Sequence, residues 1–542
     1  MSIASSYDEE TDSNSSHQKV SISVDGKVIT RRRVILSHSI FTFINFLNFT
    51  DRYTIAGVLS DIQNYFKIND TQGGLIQTVF ILVFMCFAPL FGYLGDRITR
   101  KCILIGGILA WSFFTLMGSF VGPNNFWVFL LLRGLVGVGE SSYITVSPSL
   151  IGDLFSESER IIALSVFSLA SPFGAGFGYI LGSLTTSIAK DSGADDDSAW
   201  KWSLRITPIL GLISNHSTLS PFFICVIAVI LTVLVVPEPM RGSRETSADN
   251  GVELKMKTSM KDDVIYLITG CISNKTAVFV TLACTANVYV VGCLAFWAPV
   301  FIEEANLAQG ENPNNAVISF GFGAVTCASG VLGVVLGAFT ARFFRRRTLN
   351  AEPLVGAYGL ILAAPMVFMF AVIVEYNTIG IFSNHFRVKK SEPTIIFNLQ
   401  TNKIRKKSLI AIWPIVILGE IGLCLNMALV PKILIDCVVP NRRSLASGIS
   451  TGFTHIFGDA YSPFFVGLLA DVTYGSSSHY NQFKGLQLGV LTCPIASAIG
   501  TAAFFACAIA YEGDHTRTAE IVDVARRGRM ENGQERVSPE VN

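Results

Sequence analysis

Charge is scarce in this chain. Only 15% of its 542 residues are Asp, Glu, Lys or Arg, while 50% are hydrophobic. A soluble domain of ordinary composition carries about 25% charged residues. Mean hydropathy is +0.49. These values exclude a disordered chain, a collagen and a small secreted disulfide scaffold, and they argue against a soluble enzyme. Basic excess is missing too: the formal net charge is +1, so no nucleic-acid partner is expected. The 11 cysteines form no Cys-x-x-Cys pair and lie mostly in apolar runs, as Cys86, Cys225, Cys284 and Cys293 do. They read as membrane-core fillers, not as disulfides or a zinc site. There is no phosphate-binding Gly-x4-Gly-Lys-Ser/Thr, no His-Glu-x-x-His and no Gly-x-Ser-x-Gly on a strand-to-helix turn. The chain is therefore not expected to be an enzyme, and neither cofactor nor metal is expected.

What is present is apolar length. A helix crosses the hydrocarbon layer with about 20 apolar residues. Twelve segments qualify, near 34–60, 72–95, 101–122, 126–150, 160–187, 205–236, 276–302, 316–343, 351–376, 408–433, 444–470 and 485–511. They are numbered 1 to 12 here. The polar, Ser-rich stretch 1–30 before them predicts a disordered tail. Basic residues mark alternate connections: Arg31 to Arg33, then Arg97, Arg100 and Lys101, Arg342 to Arg347, and Arg442 with Arg443. The positive-inside rule puts these connections and both termini in the cytoplasm. One connection breaks the rule, the 9–10 insert at about 377–407 with Arg387, Lys389, Lys390 and Lys403. Residues 31–236 and 276–511 then read as two six-helix bundles. A cytoplasmic linker at 237–275 joins them, and a cytoplasmic tail follows at 512–542. Asn69-Asp-Thr71 is a glycosylation sequon in a predicted outer loop.

The two halves repeat each other. Gly92, Arg97 and Arg100 in the 2–3 connection match Gly337, Arg342 and Arg345 in the 8–9 connection. Pro148, Asp153 and Arg160 match Pro431, Asp436 and Arg443. The second set lies further apart than the first, and the 9–10 insert supplies most of the difference. Repeated halves around a central linker are the mark of a secondary transporter with its site at mid-membrane.

Several motifs carry a family resemblance. Gly92-Tyr-Leu-Gly95-Asp96-Arg97-Ile-Thr-Arg100-Lys is similar to the cytoplasmic 2–3 loop signature of the major facilitator superfamily. Ser171-Pro-Phe-Gly-Ala-Gly-Phe-Gly178 resembles its Gly/Pro-rich helix-5 motif. Asn48-Phe-Thr-Asp51-Arg52-Tyr53, Arg133-Gly-Leu-Val-Gly-Val-Gly-Glu140 and His455-Ile-Phe-Gly-Asp459-Ala-Tyr-Ser-Pro463 together resemble the spinster family of lipid transporters. The resemblance covers about 31–512. It implies an all-α major facilitator fold of twelve helices in two pseudo-symmetric bundles. In the superfamily the 2–3 loop latches the outward-facing state. That implies a gating role for Gly92, Gly95, Asp96, Arg97 and Arg100. Ala341 stands where the first copy has Asp96, so the second latch departs from the pattern.

Charges inside apolar segments are the best pointers to function, because each costs at least about 2.5 kcal/mol at mid-bilayer. Asp51 and Arg52 are chain neighbours in segment 1 and point about 100° apart, so each needs a partner elsewhere. Arg133 and Glu140 share one stripe of segment 4, two turns apart. Crossed pairing is expected, Asp51 with Arg133 and Glu140 with Arg52; a structural ion-pair network is the alternative. The resemblance implies that Asp51 is the protonation switch, with Arg52 and Glu140 in its network. His455 and Asp459, four apart in segment 11, form a titratable pair or a packing pair. Glu420 in segment 10 is a further cavity candidate. Asn287, Tyr289 and Trp297 read first as packing residues.

A guanidinium suits phosphate or carboxylate, and an apolar slot suits an acyl chain. The resemblance thus implies a proton-driven carrier of a lysolipid or sphingolipid, working by alternating access as a monomer. It leans towards a late endosome or lysosome membrane, with the plasma membrane open. A carrier of small organic anions or sugars remains open, as does a receptor or scaffold that moves nothing.

Overall fold

The computed structural model describes residues 22–24, 27–95, 98–155, 157–195, 197–206, 222–237, 274–310, 313, 315–387, 412–427, 429–439, 443–475 and 478–535. It is almost wholly helical. Among the described residues, nine helices are long and apolar enough to cross a membrane; they correspond to segments 2–5, 7–10 and 12. The other three segments are not among the nine, and residues 207–221 of segment 6 lie outside the described residues. Segment 1, Arg31–Gly57, is helical but carries buried Asn45, Asn48 and Asp51. Segment 6 is helical over Phe222–Val235. Segment 11 is broken into Arg443–Phe457 and Tyr461–Thr473, with Gly458, Asp459 and Ala460 in a turn between them.

Two ends differ from expectation. Residues 22–24 pair antiparallel with 27–29 inside the stretch expected to be disordered. The sequence between them, Asp25-Gly26, is a dipeptide common in hairpin loops. The last helix runs Thr492–Glu535, well past residue 511. Asp514 accepts from the backbone N–H of Thr276 (2.9 Å), and the Thr518 hydroxyl donates to the Cys437 carbonyl (3.0 Å), which ties this extension to segments 7 and 10. Segment 9 continues as helix through Arg387. The rest of the 9–10 insert and most of the 237–275 linker lie outside the described residues, as do Asp96 and Arg97.

Burial in segment 1 does not follow polarity: Phe41, Ile44 and Leu47 are buried together with polar side chains. Segment 1 buries Ser37, Asn45, Thr50, Asp51 and Thr54, while Ile35, Leu36 and Phe43 are exposed. Segment 5 lies against it through glycines four residues apart. A Cβ on Gly174 or Gly178 would stand 2.5 Å from the carbonyl oxygen of Phe46 or Thr50, so only glycine allows this approach.

The repeat seen in sequence is built into the packing. Arg100 at the start of segment 3 pairs with Asp153 at the end of segment 4, 2.6 Å apart. Their counterparts Arg345 and Asp436 stand 3.8 Å apart, with Lys432 also reaching Asp436 (3.1 Å) and Glu352 (2.5 Å). The first pair is buried and the second is braced by neighbours. Arg100→Ala is therefore expected to lower thermal stability by about 3–5 kcal/mol. Arg345→Ala, on a 38% exposed side chain, should cost about 0–1 kcal/mol. Thermal unfolding of the two variants in detergent checks the asymmetry.

The start of segment 1, the start of segment 3 and the end of segment 6 lie together at one end of the bundle, called the terminal end here. Arg33 donates to the carbonyl of Val235, and Lys101 to those of Val233 and Val236. At the opposite, distal end the halves close on each other. Ser60 donates to Glu303, Thr71 to Asp471 (2.5 Å) and Gln482 to Asp70 (3.0 Å). Segments 2 and 11 touch there, Gly74 against Pro463 and Gly467 against Asp70. Segments 5 and 8 touch through Gly176 and Gly323. Towards the terminal end segments 2 and 11 part: Leu90 and Tyr93 are exposed, and nothing lies within 4 Å of a Cβ built on Gly448 or Gly452. The sequon sits in the distal seal, where Asn69 Oδ1 accepts from the N–H of Gln72 and Thr71 holds Asp471.

Candidate functional site

Four charges from segments 1 and 4 meet at mid-height, between the distal seal and the terminal opening. Asp51 is 1% exposed, Glu140 1% and Arg133 4%. Arg133 Nη1 stands 3.6 Å from Asp51 Oδ2, the first of the two expected pairings. The second does not form. Arg52 turns away from Glu140 and crosses to the other half, where its Nη2 lies 3.3 Å from Asp459 Oδ2. The cause is the break in segment 11: unwinding at Gly458–Ala460 lets Asp459 approach, and Gly292 leaves it room, since a Cβ there would stand 2.6 Å from the Asp459 Cα. Asp459 Oδ1 in turn contacts His455 Nδ1 at 2.9 Å. Arg52, Asp459 and His455 thus form one chain of contacts across the interface.

Three residues of this site carry no charge, and the sequence reading passed over them. Phe80 of segment 2 lies under both guanidiniums, 5.1 Å from Arg52 and 4.6 Å from Arg133. A ring face between two cations offsets part of their mutual repulsion. Trp111 and Thr115 of segment 3 both donate to Asp51 Oδ2, at 3.0 and 3.2 Å. The available signal was spacing: a Trp and a Thr four apart share a helix face.

Several buried polar atoms of the cluster have no hydrogen-bond partner. They are Asp51 Oδ1, Arg52 Nε, Arg133 Nε and Nη2, Glu140 Oε1 and Asn48 Nδ2. Buried polar atoms are ordinarily paired, so this group of unpaired ones marks the cluster as the candidate site.

Glu420 belongs to a second locus. Thr326 and Ser329 of segment 8 donate to its two oxygens, at 2.9 and 2.8 Å. Around it lies a cavity of apolar side chains, among them Leu294, Phe322, Met366 and Phe370. Tyr53 and Tyr179 pack ring against ring (5.5 Å) at the junction, and Tyr179 donates to the Ala295 carbonyl of the other half. Asn287 donates a hydrogen bond to Asn426 (3.3 Å), Trp297 donates one to the Pro463 carbonyl (2.9 Å), and the hydroxyls of Tyr289 and Thr492 are hydrogen-bonded (2.9 Å).

Of the 2–3 connection residues for which the resemblance implies gating, Gly92 and Gly95 lie against Thr145 and Val146 of segment 4, and Arg100 holds Asp153. Among the described residues no group of three or more His, Cys, Asp or Glu could hold a metal ion.

Two pseudo-symmetric bundles with a charged, incompletely paired centre define the architecture of a secondary transporter. The profile of the Major Facilitator Superfamily matches residues 41–384. Protein spinster homolog 3 of Danio rerio is 36% identical over 506 residues, covering 91% of this chain and 88% of that protein. Sphingosine-1-phosphate transporter SPNS2 of Danio rerio is 37% identical over 504 residues, covering 92% and 88%. A crystal structure of a bacterial homolog to the human lysosomal transporter Spinster, inward-facing and unoccupied, superposes with a TM-score of 0.67 at 16% identity. It covers 89% of this chain and 98% of that one. The chain belongs to the spinster family of the Major Facilitator Superfamily.

Proposed function

We propose that this protein is a proton-linked secondary transporter of sphingolipids or lysophospholipids, with sphingosine-1-phosphate as one candidate, working by alternating access. The observation that carries the reading is the buried cluster of Asp51, Arg52, Arg133 and Glu140, with its unpaired donors, joined to Asp459 across the two halves. Unpaired guanidinium N–H groups suit a phosphate. The side chains around Glu420 are apolar, as a hydrocarbon chain requires, and the carboxylate among them suits an ammonium group. The name of the 37% identical relative points to the same chemistry, a phosphate, an ammonium and one long chain.

The steps follow from the contacts. When lipid phosphate draws on Arg133 and Arg52, Asp51 and Asp459 lose their counter-charges. Protonation of Asp51 removes the resulting buried charge. Release of Asp459 from Arg52 frees the halves to part distally. The closure described above is then the inward-facing state, with the termini in the cytoplasm. An acid lumen supplies the proton, so the late endosome or lysosome membrane is the favoured site. The protein acts as a monomer in the bilayer and needs no cofactor.

The test is uptake of labelled lysophospholipid and of sphingosine-1-phosphate into liposomes carrying the pure protein, with and without a pH gradient. Gradient-stimulated uptake supports the reading; uptake of neither lipid overturns it. Glu420→Gln is expected to raise KM roughly tenfold for lipids that carry an ammonium group. That is the low end of the about 1.5–3 kcal/mol a charged hydrogen bond is worth, and KM should be unchanged for a lysophosphatidic acid, which has no ammonium group. Equal effects on both lipids would remove Glu420 from headgroup recognition.

A further inference from the structure

Asp51 is bonded on one oxygen only. Oδ2 takes the indole N–H of Trp111 (3.0 Å), the hydroxyl of Thr115 (3.2 Å) and, more distantly, Arg133 (3.6 Å). Oδ1 is buried with no hydrogen-bond partner. We propose that Trp111, seconded by Thr115, is a positioning residue that fixes the rotation of the Asp51 carboxyl and sets the pH range over which the transporter works. The inference deepens the proposed function and rests on Asp51 as the proton carrier.

The argument turns on which partners can leave. The charged groups facing Asp51 are Arg133 and Glu140 from segment 4 and Arg52 from its own segment; Asp459 and His455 of segment 11 act through Arg52. Segment 2 offers Phe80, which is uncharged. Both arginines have unpaired N–H groups and can turn to an anion. Segment 3 offers only neutral donors, and these do not leave. Trp111 is 4% exposed, and segment 4 closes over it at Gly139, where a Cβ would stand 2.6 Å from the Trp111 backbone nitrogen. The helix that carries Arg133 and Glu140 therefore also clamps Trp111.

An indole N–H donates and cannot accept. It stabilises the carboxylate oxygen in front of it and has nothing to offer a carboxyl proton there. With Oδ2 held by Trp111, the proton arrives at Oδ1, the side with no partner. The strength of the indole bond then decides how acidic the medium must be for that proton to bind once lipid has drawn Arg133 away. Without the bond the charged form loses support, and the proton binds at higher pH.

Trp111→Phe removes the N–H and keeps an aromatic ring. Uptake of labelled lysophospholipid by liposomes carrying the full chain is measured between pH 4.5 and 8.5. The pH of half-maximal uptake is expected to rise by about one unit in Trp111→Phe, since a hydrogen bond to a charged group is worth about that much. Thr115→Val, which keeps the side-chain volume, should move it in the same direction by less, and it serves if Trp111→Phe folds poorly. In an Asp51→Asn background neither change should move the profile. A uniform loss of uptake at every pH with the midpoint of the parent chain would overturn the inference and leave Trp111 as packing alone. That result leaves Asp51 as carrier intact, provided the parent profile depends on pH and Asp51→Asn flattens it. If the parent profile is flat, or Asp51→Asn retains it, the carrier reading fails and the inference fails with it.

Discussion

Asp51→Asn is expected to abolish lipid accumulation driven by a pH gradient while leaving downhill exchange of lipid measurable. The asparagine keeps an oxygen for Trp111 and Thr115, so the local packing survives. It cannot ionise, so no proton is taken up or released in the cycle. A gradient of two pH units stores about 2.7 kcal/mol per proton, enough for roughly hundredfold accumulation. That factor should fall to one in the variant. Stability should fall as well, because Arg133 is 4% exposed and loses its ion-pair partner. Removing one member of a buried pair costs about 3–5 kcal/mol. The low end applies here, since Glu140 remains on the same stripe of segment 4 as a second negative group. Liposome uptake with and without the gradient, beside counterflow with equal lipid on both sides, separates the two effects. Gradient-driven accumulation that persists in Asp51→Asn would move the proton site elsewhere, with Asp459 and His455 next in line.

The second large effect is expected at a residue that touches no charge. Gly176 of segment 5 meets Gly323 of segment 8, and a Cβ on Gly176 would also stand 2.9 Å from the Cβ of Cys327. The distal closure depends on this backbone approach, so Gly176→Leu should exclude it. Overpacking a tight contact costs about 1–3 kcal/mol, and every 1.4 kcal/mol is tenfold in population. When the distal ends are apart the leucine faces open space and costs little. The variant should therefore populate the distal-open state about fivefold to hundredfold above the parent chain and lose a similar factor in uptake. A cysteine placed at Ser60, inside the distal seal, reports the change. Its labelling by a membrane-impermeant maleimide should rise in Gly176→Leu relative to the parent background. Labelling at the parent rate, with uptake lost, would mean that the leucine jams the protein without shifting its states.

Much of this protein is legible from residues in order. Apolar runs of membrane length, and the basic connections between them, gave the segment boundaries to within a few residues for most helices. The i, i+7 spacing of Arg133 and Glu140 put both on one stripe, and the isolation of Asp51 in an apolar run marked it as needing a partner. The matched Arg100 and Asp153, Arg345 and Asp436 announced the repeat, and each copy does form a contact.

Where pairing depends on the meeting of distant helices, the order of residues is silent. Helical periodicity says which side chains share a stripe of one helix. It does not say which stripe of another helix lies opposite, because that is settled by packing. Arg52 therefore went to Asp459 rather than Glu140 only because Gly292 admits the unwound turn of segment 11. Trp111 and Thr115, ordinary in an apolar run, became the neighbours of Asp51 because Gly107 and Gly139 bring segments 3 and 4 together. Hydropathy determined which segments are long and apolar enough to cross a membrane. Backbone approach at a few glycines, which carries no hydropathy signal, determined what each buried charge would face.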